Sequence, residues 1–142
     1  MRFAIVISRY NEEITAGLLQ GARAFLQEAG VPIAEEDVIS APGAFELPLI
    51  AQKIARTERY AGVICLGCVV KGDTAHFEFI SLAAAMGIQT ASLATETPIA
   101  FGVLTTYTQE QALARSRMNS ENKGREAARA CFESAKILQK IG

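Results

Sequence analysis

Residues 61–70, AGVICLGCVV, form an apolar run in which no polar side chain alternates with the hydrophobic ones. Successive side chains of a strand point to opposite faces, so a run of this kind is stable where both faces are covered, as in a parallel sheet between helical layers. Similar runs occur as RFAIVIS at 2–8, DVISA at 37–41 and PIAFGVLT at 98–105. Between them the apolar spacing changes to that of a helix. In 12–29, Ile14, Leu18, Ala22, Phe25, Leu26 and Ala29 share one face, and Gly30 then Pro32 close the segment. In PGAFELPLIAQKIAR, Leu47, Ile50, Ala51, Ile54 and Ala55 lie on one side. Pro48 fits only a first turn, where no intrahelical N–H is lost, so that helix is expected to begin near Phe45. A final helix is expected over 122–141, with Ala128, Cys131, Phe132, Ala135 and Leu138 inward.

Residues 76–95 admit two readings. Gly87 could end a helix and QTASLA could form a strand, but that strand would have to reach PIAFGVLT across TETP. One long helix keeps a plain β-α order with right-handed crossovers. The expectation is therefore an α/β chain, a single domain over 1–142, folded as a three-layer α/β/α sandwich. Its four-stranded parallel sheet would have flavodoxin-like order 2-1-3-4, with ligands outside the carboxyl ends of the strands.

Fourteen Lys and Arg against fifteen Asp and Glu give a formal net charge of -1. No basic surplus points to nucleic acid, and no polybasic run points to a membrane surface. No stretch is expected to reach the roughly 20 apolar residues of a membrane span, and the N-terminal run is too short for a signal peptide. Cys65 and Cys68 have the spacing of half a zinc site but no second pair, so with Cys131 they read as buried thiols in a reducing cytoplasm. One histidine and scattered carboxylates supply no metal-ligand set. Walker, dinucleotide-binding and Gly-x-Ser-x-Gly patterns are absent. An enzyme built on this sequence would work by acid-base chemistry and positioning.

Four segments should converge at the carboxyl edge: SRYN, PGAFE, KGDTAH and TTYT. In KGDTAH, Gly72 permits close approach of a ligand, Asp73 or Thr74 can cap a helix, and the first-turn N–H groups attract an anion. His76 would stand beside that anion as a proton carrier, or would simply donate to a backbone carbonyl. Phe45 and Glu46 read either as a stacking ring and a carboxylate acceptor, or as a core residue and a first-turn acid. Tyr10 poses the same choice. The basic group Arg115, Arg117, Lys123 and Arg125 is either a phosphate site or a solvated face, and Glu126 either orients a cation or lies in water.

In sequence, SRYN, PGAFELP, GCVVKGDTAHFEFI, PIAFGVLT and NKGREAA resemble, in register and in order over nearly the whole chain, the lumazine synthase family of riboflavin biosynthesis. The resemblance implies condensation of 5-amino-6-ribitylamino-uracil with 3,4-dihydroxy-2-butanone 4-phosphate, releasing phosphate and water, with no metal and no cofactor. By that resemblance, Tyr10 would stack on the pyrimidine and Asn11 would help at its edge. Ala44, Phe45, Glu46, Val69 and Val70 would hold the ring and ribityl chain. Gly72, Asp73 and Thr74 would cradle the phosphate, and His76 would shuttle protons. From an adjacent subunit Phe101 would close over the ring, Arg115 would bind phosphate, Glu126 would orient Arg115, and Lys123 would add charge. The partners implied are small molecules and further copies of the chain, as a pentamer or higher assembly, with neither nucleic acid nor membrane. SLAAA at 81–85 would pack helices about the five-fold axis. Where the family often has a second phosphate-binding lysine this chain has SRMN at 116–119, and Arg117 is the candidate substitute. A non-catalytic riboflavin- or lumazine-binding homologue is the alternative, for which Tyr10 and Phe45 alone would suffice.

Overall fold

The computed structural model describes all residues from Met1 to Gly142. Four strands, β1 (Phe3–Ser8), β2 (Val38–Ala41), β3 (Gly62–Val70) and β4 (Ile99–Thr106), form one sheet in the order β2-β1-β3-β4. Every pairing is parallel, with Val6 beside Ile39 and Cys65, and Cys65 beside Phe101. The sheet lies between α1 (Glu12–Glu28) with α5 (Lys123–Ile141) on one face and α2 (Leu47–Ala55) with α3 (His76–Thr95) on the other. The expected three-layer sandwich and strand order are those observed.

The lack of alternation in β3 follows from these two layers. Ile64 and Leu66 pack with Ile14, Leu18 and Ala128, while Val63 and Cys65 pack with Leu47, Ala51 and Ile88. Burial pushes the thiols of Cys68 and Cys131 up to about 11 and about 12, and that of Cys65 further still. All three are packing groups held in the protonated form.

Residues 76–95 form one helix, and the reason concerns Gly87. It lies inside α3 where a Cβ would stand 2.7 Å from the Pro48 ring, so it permits contact with α2 and ends nothing. Pro48 is the second residue of α2, which starts after a 3-10 turn at Ala44–Glu46, two residues later than Phe45. Phe45 itself is exposed, not core, and Leu138, on the same side of α5 as Cys131, is exposed where it borders an open groove beside Pro98 and Ile99. Phe132 is half-buried, its ring 5.8 Å from Phe25 and 6.1 Å from Phe3. The helix α4 (Gln109–Ala114) was not anticipated, although Thr108 and Gln111 form a reciprocal capping box that TQEQ spells out.

By length and composition α3 could cross a membrane, contrary to the expectation that no stretch would. Only Ala84, Ile88 and Ala91 of it are buried, and Phe79, Leu82, Met86 and Leu93 stand exposed.

At the amino edge of the sheet, Arg2 donates two hydrogen bonds to the Asp37 carboxylate at 2.9 and 2.8 Å, and Tyr60 Oη donates a third at 2.8 Å. Asp37 is 3% exposed, and the hydrogen bonds from Arg2 hold its carboxyl below the usual range. A carboxyl depressed by folding stabilises the protein above its unfolded pKa of about 3.9 and loses that contribution as pH falls through the folded value. Asp37→Ala is expected to cost about 1–3 kcal/mol at pH 7, because Arg2 is half-exposed and water can take over its side of the pair. Urea unfolding of both proteins should show that difference shrinking as the pH is lowered below about 4.

Candidate active site

Helices α1 and α3, and the 3-10 turn that leads into α2, all begin at the carboxyl edge because every strand runs toward it. A cleft of about 560 Å³ opens there, lined by Tyr10, Asn11, Gly43, Ala44, Phe45, Glu46, Cys68, Val69, Val70, His76 and Ile80. Eight of the residues named from the sequence therefore share one concavity. A second groove, of about 530 Å³, lies between the carboxyl halves of α3 and α5. Its ionisable side chains are Glu96 and the buried Cys131 thiol. The first alone gathers aromatic rings, a carboxylate and an imidazole.

The two rings of the cleft are unusually open to solvent for side chains of their size, Tyr10 at 70% and Phe45 at 59%. Gly43 lets Tyr10 and Glu46 crowd against it: a Cβ there would come within 3.1 Å of the Glu46 carboxylate and 3.2 Å of the Tyr10 ring. Asn11 occupies the left-handed region at φ 57°, which asparagine tolerates better than most residues. Its Nδ2 donates to the Cys68 carbonyl at 3.2 Å, tying the end of β1 to β3, and its Oδ1 carries no bond. The Cys68 thiol stays protonated at neutral pH and is no nucleophile.

His76 is the first residue of α3 and is exposed. Its backbone N–H donates to Thr74 Oγ1 at 3.3 Å, while its imidazole makes no hydrogen bond within the chain. Thr74 thus ties off the helix start through a local turn, Asp73 makes no bond, and the N-cap position falls on Ala75. The N–H groups of Phe77 and Glu78 have no partner, as expected of a first turn. No atom lies within 4 Å of the position a Gly72 Cβ would take, so the loop is open on that side.

The remaining residues stand elsewhere. Phe101 is half-buried on β4 against the α2–α3 core, and Arg115 caps the end of α4 with its side chain exposed and unbonded. Lys123 opens α5 and donates to Glu126 at 3.3 Å, so within the chain Glu126 holds that lysine and not Arg115. Tyr107, in the fourth convergent segment, packs against Phe77 at 6.0 Å and does not line the cleft. Cys68, expected only as a buried thiol, lines it too, as does Ile80. Ile80, one helical turn beyond His76, was reachable from spacing alone.

Comparison with known proteins gives this arrangement its context. The family description "6,7-dimethyl-8-ribityllumazine synthase" matches residues 1–139. The chain is similar to 6,7-dimethyl-8-ribityllumazine synthase 1 of Caulobacter vibrioides, 64% identical over 140 residues, covering 99% of this chain and 92% of that protein. It is 47% identical to the 6,7-dimethyl-8-ribityllumazine synthase of Salinibacter ruber, over 99% of this chain and 90% of that one. It is also 47% identical to the protein of that name in Syntrophus aciditrophicus, over 99% and 92%. A match that takes in every strand and every segment of the cleft leaves one assignment: the chain belongs to the 6,7-dimethyl-8-ribityllumazine synthase family.

Proposed function

We propose that this protein condenses 5-amino-6-ribitylamino-uracil with 3,4-dihydroxy-2-butanone 4-phosphate to 6,7-dimethyl-8-ribityllumazine, the penultimate step of riboflavin biosynthesis, in the cytoplasm. The observation that carries the reading is the unbonded His76 imidazole at the mouth of a cleft walled by Tyr10 and Phe45, beside a helix start with free N–H groups. The planar pyrimidine stacks against the rings of Tyr10 and Phe45, and Glu46 accepts from its hydroxyl and amine substituents. The free Oδ1 of Asn11 accepts at the ring edge. The phosphate sits over Gly72, Asp73 and Thr74 at the start of α3.

The 5-amino group attacks the ketone and water is lost to give an imine. Removal of a proton beside it expels phosphate, and the ribitylated nitrogen closes the ring with loss of a second water. Each step moves a proton, and an imidazole serves both directions near neutral pH. Holding two small reactants in register supplies much of the remaining acceleration.

The cleft of one chain lacks a phosphate cation, while Arg115 and Phe101 stand on another flank. A neighbouring copy completes it, Arg115 reaching the phosphate and Phe101 covering the ring. Lys123 and Glu126 come with them, and in this chain they form an ion pair. The exposed apolar stripe of α3, Phe79, Leu82, Met86 and Leu93, repeats at close to 3.5 residues, the spacing of a helix packed against other helices. It fits a ring of five copies with α3 around its axis.

Incubation with both substrates should yield lumazine fluorescence and inorganic phosphate together; stoichiometric riboflavin binding with no product would replace the enzyme by the binding homologue. His76→Ala should lower kcat about 10²- to 10⁴-fold while ligand binding persists. Neither His76→Ala nor Arg115→Ala alone should be more than weakly active. Coexpressed at equal levels, they should regain about a quarter of wild-type activity, because in a ring that fraction of interfaces pairs the two intact residues. No recovery would place the whole site within one chain.

A further inference from the structure

Arg115 makes no side-chain hydrogen bond within its own chain, so its direction is set by the backbone that carries it. Its N–H is tied to α4 through the Gln111 carbonyl, and the loop that follows it is gathered by one side chain. Asn122, 1% exposed, shares its two amide hydrogens among three carbonyl oxygens, those of Ser116 at 3.1 Å, Arg117 at 2.9 Å and Gly17 at 3.1 Å. The first two belong to the loop that follows Arg115, and the third lies within α1. The Asn122 Oδ1 accepts from Arg125 N at 2.9 Å, capping α5, and Lys123 N donates to the Arg115 carbonyl at 2.8 Å. Two glycines of α1 make room: a Cβ on Gly21 would overlap the Asn122 amide, and one on Gly17 would overlap the Ser116 carbonyl.

We propose that Asn122 is a positioning residue for the reaction, clipping the 115–121 loop to α1 so that the backbone from which Arg115 projects toward the neighbouring site holds one position. The proposal rests on the reading that Arg115 binds the substrate phosphate. A capping role alone needs only the Oδ1 acceptor. The three carbonyl contacts need the N–H donors, and an aspartate, equal in shape, keeps the first function and turns the second into repulsion. The backbone carrying Arg115 then samples several positions, and ordering it on each encounter weakens phosphate recognition.

Steady-state kinetics with both substrates test this on the intact oligomer, using Asn122→Asp, Gly21→Ala, Arg115→Ala and the double variant Asn122→Asp/Arg115→Ala. Asp37→Ala, destabilised at the far edge of the sheet, is the control. Asn122→Asp and Gly21→Ala should each raise KM for the phosphate-bearing substrate about tenfold or more. KM for the pyrimidine should stay within about twofold, and Asp37→Ala should shift neither. Adding Asn122→Asp to Arg115→Ala should change little, since both remove one interaction. An unchanged phosphate KM, an equal rise in both KM values, or full additivity in the double variant would overturn the proposal. Amide hydrogen exchange over 115–121 should be faster in Asn122→Asp than in wild type whether or not product forms, and equal rates would also overturn it. Absence of turnover in the wild type would instead sink the functional reading.

Discussion

Two parallel strands cannot be joined by a tight turn; the chain must cross the whole sheet before the next strand begins, and it does so here through helices. Every return leaves from the carboxyl edge, so the segments after Ser8, Ala41 and Val70 are brought together whatever residues they contain. Chemistry can then be written into those segments without disturbing the core, which the central strand β3 builds by sending Ile64 and Leu66 to one layer and Val63 and Cys65 to the other. The opposite edge is occupied by the Arg2, Asp37 and Tyr60 contacts, which tie the start of the chain to the start of β2.

The parts of the fold visible in the sequence were those governed by local period. An uninterrupted apolar run marks a strand covered twice, and helical spacing marks α1, α2 and α5. Tertiary contact decided what period left open: Gly87 could be read as a helix end because Pro48, whose ring it accommodates, lies nearly forty positions away. Leu138 stands on the side that helical spacing indicates, but spacing does not show that the space beside it is an open groove. The segment TQEQ spells out a capping pattern, but α4 is too short to show an apolar stripe.

For the site, family resemblance named residues that periodicity could not, and the fold explains why they divide into two groups. Tyr10, Phe45, Glu46 and His76 follow β1, β2 and β3 and face one cleft. Arg115, Lys123 and Glu126 follow β4, the strand at the far edge from β2, and do not line that cleft. Asn122 marks a helix start in the sequence, but its further contacts are to carbonyl groups, which every residue has, and need two glycines a hundred positions earlier. Sequence reports side-chain chemistry well and says little about which backbone groups will need a partner.

The outward-facing hydrophobic ridge of α3 also bears on the life of a newly made chain. In the ring proposed above other copies cover this surface, and a chain that has not yet met them offers it to chaperones and proteases. Its survival then depends on abundance: a cell making few copies loses many of them to quality control, whereas one making them in bursts lets assembly outrun degradation. Expression level and translation timing thus become part of what determines the yield of working protein, through a helix that touches none of the chemistry along most of its length.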